Sequence, residues 1–241
     1  MTAVFRFVGN FLCKICENGG GIGWSIFVFT LLVTVFMIFT TIAEIRSLQL
    51  ADIIRPLHEG ICNKFRNKPE QMGKELVGMH KTFGYNTFLG IFSNVIHVIV
   101  IILLAGIFFQ PNHYLPGLSA EELGFLWIRD LTASPFLLIR QGRFIPELIA
   151  AVVSLLLMDF LISWNAQLII RKSLMPVRTL YKGLTIAAVA VAFFTPQVVL
   201  VYLSIYYLLK NIIFILFVRF FPYTLNQSQE AFYKKCVKTI S

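Results

Sequence analysis

Residues 95–109 read V-I-H-V-I-V-I-I-L-L-A-G-I-F-F, and runs of this kind limit what the chain can fold into more than any other feature. An ordinary strand ends after about five or six residues, whereas a bilayer-crossing helix needs about 20 that are mostly apolar. Five windows meet that demand: 24–42, 87–109, 146–169, 179–195 and 197–220. Membrane barrel strands alternate apolar and polar letters, and these runs are continuous, so helices are predicted. The composition agrees, with 57% hydrophobic and only 14% charged residues, against about 25% charged in soluble domains. The predicted fold class is an all-α integral membrane protein with five transmembrane helices.

Lys and Arg in the connecting segments set the orientation. Segments 43–86, 170–182 and the stretch from Arg219 onward hold 15 of them, while segments 1–23 and 110–145 hold 5. This bias predicts the N-terminus outside and the C-terminus in the cytoplasm. The net charge of +9 then falls mainly on the cytoplasmic face, where it sets topology or attracts anionic lipid or ribosomal RNA. No DNA-binding pattern accompanies it.

Before the first span, Val4, Phe7, Val8, Phe11, Leu12 and Ile15 share one helical face. An N-terminal amphipathic helix in the outer interface is expected there, rather than a cleaved signal. Cys13 and Cys16 have C-x-x-C spacing without a second ligand pair, and His58 with Cys62 gives only two ligands, so no metal site is read.

Residues 43–86 are polar and basic, yet Ile45, Leu48, Ile53, Leu57, Ile61 and Phe65 recur at helical spacing, followed by Met72, Leu76 and Met79. Asn67-Lys68-Pro69-Glu70 interrupts them, because Pro disfavours helix before it and suits a first helical turn. A cytoplasmic helical hairpin is expected, its apolar stripe meeting the other arm, the membrane surface or a client. In the outer loop 110–145, Trp127 beside Arg129-Asp130 reads as an interfacial anchor. Residues 223–241 read as a short basic cytoplasmic tail, following a membrane domain of residues 1–222.

The order of these elements resembles the YidC/Oxa/Alb family of membrane protein insertases over residues 4 to about 222. The closest local likenesses are G-W-S-I-F-V-F-T-L-L-V at 23–33, F-L-W-I-R-D-L-T-A at 125–133 and T-P-Q-V-V-L-V-Y-L at 195–203. Thr34 stands where many members carry an arginine on the first span, and His97 where a glutamine is frequent. The resemblance implies a bacterial plasma-membrane, multi-pass insertase or chaperone. Its partners would be client membrane proteins and the lipid bilayer, with the ribosome and the Sec translocon as candidates. It implies no cofactor and no enzymatic reaction.

Such a protein needs polar groups at mid-membrane depth, because a charged side chain at the bilayer centre costs roughly 2.5–3.5 kcal/mol on insertion scales. Asp159 and Lys210 each lie 13 residues from the outer start of their span, about 20 Å deep at 1.5 Å per residue. Equal depth predicts a pair between them, or between Asp159 and His97; an ion pair that only locks helices is the bland alternative. Thr30, Thr34, Asn94, Tyr202 and Asn211 complete the predicted groove or client-binding set.

Two other functions fit parts of the chain. A specialised assembly factor without general insertase activity would tolerate Thr34 in place of the arginine. An ion or proton transporter would use Asp159, Lys210 and His97 as a relay, but no inverted repeat or pair of broken helices supports it. Neither a phosphate-cradling glycine loop nor a metal-spaced cluster of His, Asp and Glu points to a soluble enzyme.

Overall fold

The structure is a computed structural model that describes residues 2–17, 21–85, 88–118, 122–142, 145–172 and 175–240. Its helices are α1 (Thr2–Ile15), α2 (Gly21–Phe36), α3 (Ile38–Lys64), α4 (Pro69–Phe83), α5 (Phe88–Phe109), α6 (Pro111–Tyr114), α7 (Pro135–Arg140), α8 (Ile145–Lys172), α9 (Met175–Phe194), α10 (Gln197–Phe220) and α11 (Gln227–Ile240). No strand occurs among the described residues. A single two-residue turn pairs Phe125 with Ile128.

Among the described residues, two helical segments, Pro146–Ile169 and Gln197–Phe220, are by length and apolarity able to cross a membrane. Together, α2 and α3 pass the same test as a pair bent by 56°. The bend falls at Met37, whose carbonyl accepts both the Thr41 N–H at 3.0 Å and the Thr40 hydroxyl at 2.7 Å. A hydroxyl that shares a helical carbonyl with its ladder N–H is a form of side-chain back-bonding that often bends helices. Beyond the bend the chain is helical again in α3, which reaches Lys64.

The centre of the bundle is α10, which packs against α2, α3, α5, α8 and α9. Residues 197–203 are buried all round, and beyond them burial narrows to Tyr206, Lys210, Asn211 and Phe214. A helix apolar on every side belongs in a core, and a narrowing stripe marks where neighbours withdraw from one flank. The first N–H groups of α10 lack intrahelical partners. The loop ahead of α7 supplies two of the partners, since Gln197 and Val198 donate to the carbonyls of Ala133 and Leu131 at 2.9 and 3.1 Å. Trp127 is 49% exposed, yet its indole N–H is not left to headgroup water and donates to Ser154 Oγ on α8 at 2.9 Å.

The amphipathic α1 lays Val8, Gly9 and Leu12 onto the bundle and leaves Val4 and Phe7 exposed. Gly9 permits the close approach, because a methyl there would fall on the Tyr114 carbonyl.

The hairpin consists of α3 and α4, joined through residues 65–68. Pro69 opens α4, and Gly84 closes it in a left-handed conformation, φ +66°. The stretch read from sequence as a basic tail folds as α11 and packs on α3. Leu50, Ile54, Leu57 and Ile61 of α3 join Met79 and Phe83 of α4 in one apolar cluster, covered by Tyr223, Leu225, Phe232, Tyr233 and Cys236.

Candidate functional site

Tyr202, Tyr206 and Lys210 follow one another at intervals of four on α10, so one face of an apolar helix carries three polar groups. All three are almost fully buried. From α5, His97 reaches this ladder: its Nδ1 shares a 2.7 Å hydrogen bond with the Tyr202 hydroxyl. The imidazole packs against the Tyr206 ring with centroids 3.7 Å apart. Below them the Lys210 ammonium meets the Glu44 carboxylate of α3 at 3.0 Å, the two side chains being 3% and 4% exposed. A second polar link joins α8 to α10: Asn165 donates to Asn211 Oδ1 at 2.8 Å, and Asn211 donates to the Leu161 carbonyl at 3.1 Å.

These groups adjoin a cavity of about 310 Å³ between α5, α8, α9 and α10. His97, Asn165 and Lys210 contribute to its wall, together with Ile101, Ile162, Ala188, Val191 and Leu203. The wall is mostly apolar, and its polar groups come from α5, α8 and α10. Such a space accepts an apolar segment while holding a few hydrogen-bonding groups within reach.

The expected pair of Asp159 with Lys210 is not formed, since the partner of Lys210 is Glu44. The level of α8 beside residues 210–211 is set by Leu161 and Asn165, so Asp159 sits about one turn nearer the helix start. It also points to the side, with Met158 buried and Phe160 62% exposed. Asp159 is half-buried, and no ion pair among the described residues includes it. Nor does His97 pair with Asp159; its polar contact is Tyr202.

The structure brings together His97, Tyr202, Lys210 and Asn211 from the expected set. Thr30 and Thr34 are buried on α2, but their hydroxyls donate to the carbonyls of Ile26 and Thr30 on their own helix at 2.7 and 2.8 Å. Such back-bonding consumes the hydroxyl proton, and neither threonine contributes to the cavity wall. The side chain of Asn94 lies outside the described residues.

Three members of the site were missed in the sequence. Glu44 falls in the polar segment 43–86, although Thr41, Glu44, Ile45 and Leu48 form one buried stripe on α3. Asn165 lies four positions after Leu161, on the same face. Tyr206 is four positions from both Tyr202 and Lys210 and was the most accessible signal.

Long apolar helices wrapped around a buried polar cluster define an integral membrane protein of the helical-bundle class. The chain matches the family model described as "60Kd inner membrane protein" over residues 14–229, and it belongs to that family, the YidC/Oxa/Alb family. It is 29% identical over 133 residues to Membrane protein insertase YidC of Clostridium perfringens (strain 13 / Type A), covering 54% of this chain and 56% of that protein. To the protein of the same name from Paraburkholderia phytofirmans it is 29% identical over 130 residues, covering 52% of this chain and 22% of that one. For Burkholderia multivorans the values are 30% over 122 residues, 49% and 21%. The chain thus spans just over half of the Clostridium protein and about a fifth of the two Burkholderia-type proteins.

Proposed function

We propose that this chain is a membrane protein insertase of the bacterial plasma membrane, with five spans, an outer N-terminus and a cytoplasmic hairpin. The single observation carrying this reading is the line of buried polar groups, His97, Tyr202 and Lys210 with Glu44, beside an apolar cavity inside the bundle. Family membership supports it, as do the relatives named as insertases.

The physical task is to move the hydrophilic flank of a client helix past hydrocarbon, where each charge costs roughly 2.5–3.5 kcal/mol on insertion scales. The apolar wall receives the client's spanning segment, while hydroxyl, imidazole and amide groups lower the barrier for its flank by replacing water. The membrane potential contributes about 2.3 kcal/mol per charge per 100 mV, with a sign set by the client's charge. Because Glu44 neutralises Lys210, the cluster acts through polarity more than net charge. Clients of either sign are therefore admitted. The 15 Lys and Arg of the inner segments attract anionic lipid, and the ribosome and Sec translocon are further candidate partners there.

Complementation tests this reading. A host depleted of its own insertase is given this chain, and insertion of a small single-span client is followed by protease protection. The wild-type chain is expected to restore insertion. Glu44→Leu with Lys210→Met, accumulating to wild-type levels, is expected to restore less than a tenth of it. Failure of a well-expressed wild-type chain overturns the insertase reading. Full activity of the double variant removes the polar cluster from the mechanism and leaves it as a helix lock.

A further inference from the structure

We propose that α11 is a displaceable strap on the hairpin, covering the apolar stripe that α3 and α4 share. The stripe is made of Leu50, Ile54, Leu57 and Ile61 on α3, extended by Met79 and Phe83 of α4. Ile54 and Leu57 are 0% and 1% exposed, so this stripe requires a cover.

The cover is fitted to it. Gln229, Phe232, Tyr233 and Cys236 occupy positions i, i+3, i+4 and i+7 of α11, the spacing of an amphipathic helix laid in a groove. Phe232 meets Phe83 edge to face, with centroids 5.7 Å apart. Gln229 Nε2 donates to the Phe83 carbonyl at 3.1 Å, one of the carbonyls that the end of α4 leaves unpaired. The same Gln229 closes a reciprocal cap: Asn226 N–H donates to its Oε1 at 3.1 Å, and its own N–H donates to Asn226 Oδ1 at 2.8 Å. Formation of α11 and its docking therefore share one side chain, since the cap that starts the helix also presents Gln229 to α4.

Two features make the contact reversible. Phe232, Tyr233 and Cys236 are only half-buried, whereas the α3 side chains beneath them are fully buried. The segment from Phe221 to Asn226 that connects α11 to α10 is non-helical. A short connection, itself resting on the cluster through Tyr223 and Leu225, keeps α11 at a high local concentration, enough to hold a weak contact closed.

The test supplies the strap in trans. A chain ending at Pro222 and the full chain, both in detergent, are each mixed with a peptide of residues 223–241, and binding is read by fluorescence anisotropy. Hydrogen exchange is followed in parallel over α3, α4 and α11. The peptide is expected to bind the shortened chain at least tenfold more tightly than the full chain. Binding should restore α3 protection and weaken at least tenfold when the peptide carries Gln229→Ala and Phe232→Ala. In the full wild-type chain α11 amides are expected to exchange at least tenfold faster than those of residues 50–61. Equal protection of α11 and α3 overturns the proposal, because α11 is then a fixed third helix. Equal binding to both chains, or none to a shortened chain whose α3 protection is unchanged, overturns it as well. Should the shortened chain misfold, Gln229→Ala with Phe232→Ala in the full chain carries the same test. It should speed exchange in α3, and unchanged exchange there overturns the strap.

Discussion

Lys210 of α10 and Glu44 of α3 meet at 3.0 Å with both side chains at least 96% shielded, which makes them the buried ion pair at the heart of this bundle. Desolvation of two ions offsets most of their attraction, so such a pair adds little net stability, yet losing one partner strands a buried charge. Glu44→Gln or Lys210→Met alone is expected to cost about 3–5 kcal/mol, while Glu44→Leu with Lys210→Met stays within about 1 kcal/mol of wild type. Thermal unfolding in detergent, compared as a double-mutant cycle, measures the difference.

Asn211 bridges α8 and α10 through Asn165 and the Leu161 carbonyl. Asn211→Leu leaves the Asn165 side-chain donor unpaired and removes the second hydrogen bond to the Leu161 carbonyl, and a loss of about 1 kcal/mol is expected, in the range of interhelical hydrogen bonds in membranes. The same unfolding measurement reports it, and Asn165→Leu with Asn211→Leu should recover part of the loss.

The hairpin is expected to respond to pH. His58 of α3 stacks on His80 of α4, with centroids 6.1 Å apart. Burial holds both imidazoles below their ordinary value of 6.5; Glu59 opposes this at His58, and the charge of His58 adds to it at His80. A depressed value in the folded state means that the folded hairpin binds fewer protons than the open one. Its contribution is therefore complete above about pH 6.5 and is lost as the pH falls below it. Spin labels at Asn63 and Lys74 are expected to show a broader distance distribution at pH 5 than at pH 7.5. The response should be absent in His58→Gln with His80→Gln.

Gly9→Ala places a methyl on the Tyr114 carbonyl. Backbone cannot yield as a side chain tip does, so α1 must shift, at a cost of about 1–3 kcal/mol. Faster alkylation of Cys16, buried beside α1, is the expected readout in the folded protein, with Gly9→Ser behaving alike.

Asp159 provides the contrasting case. It is half-buried and forms no ion pair among the described residues, so Asp159→Asn is expected to change stability by less than about 0.5 kcal/mol. Unfolding temperature and client insertion measured on one preparation distinguish a structural role from a role in handling clients.

The helices were legible because hydrophobic runs and prolines act locally. The run around residues 95–109 dictates α5, and Pro69 with Gly84 bounds α4 through backbone restrictions that need no partner. Polar spacing on α10 was legible for the same reason: Tyr202 and Lys210 sit on one face whatever surrounds them. Pairing was not legible. Counting 13 residues from each helix start put Asp159 level with Lys210, but depth along separate helices does not fix their relative tilt, rotation or offset. The bend at Met37 matters most, because past it α3 packs against α5, α8 and α10 with Glu44 beside Lys210. Likewise, the sequence marked an uncovered apolar stripe on the hairpin, while only packing could select α11 as its cover. By itself, then, the sequence determined which segments are helical and which faces are polar, since those follow from backbone geometry and the aversion of apolar groups to water. Which polar groups meet was decided only in the tertiary structure, where buried charges and amides are stable only beside partners brought from distant parts of the chain.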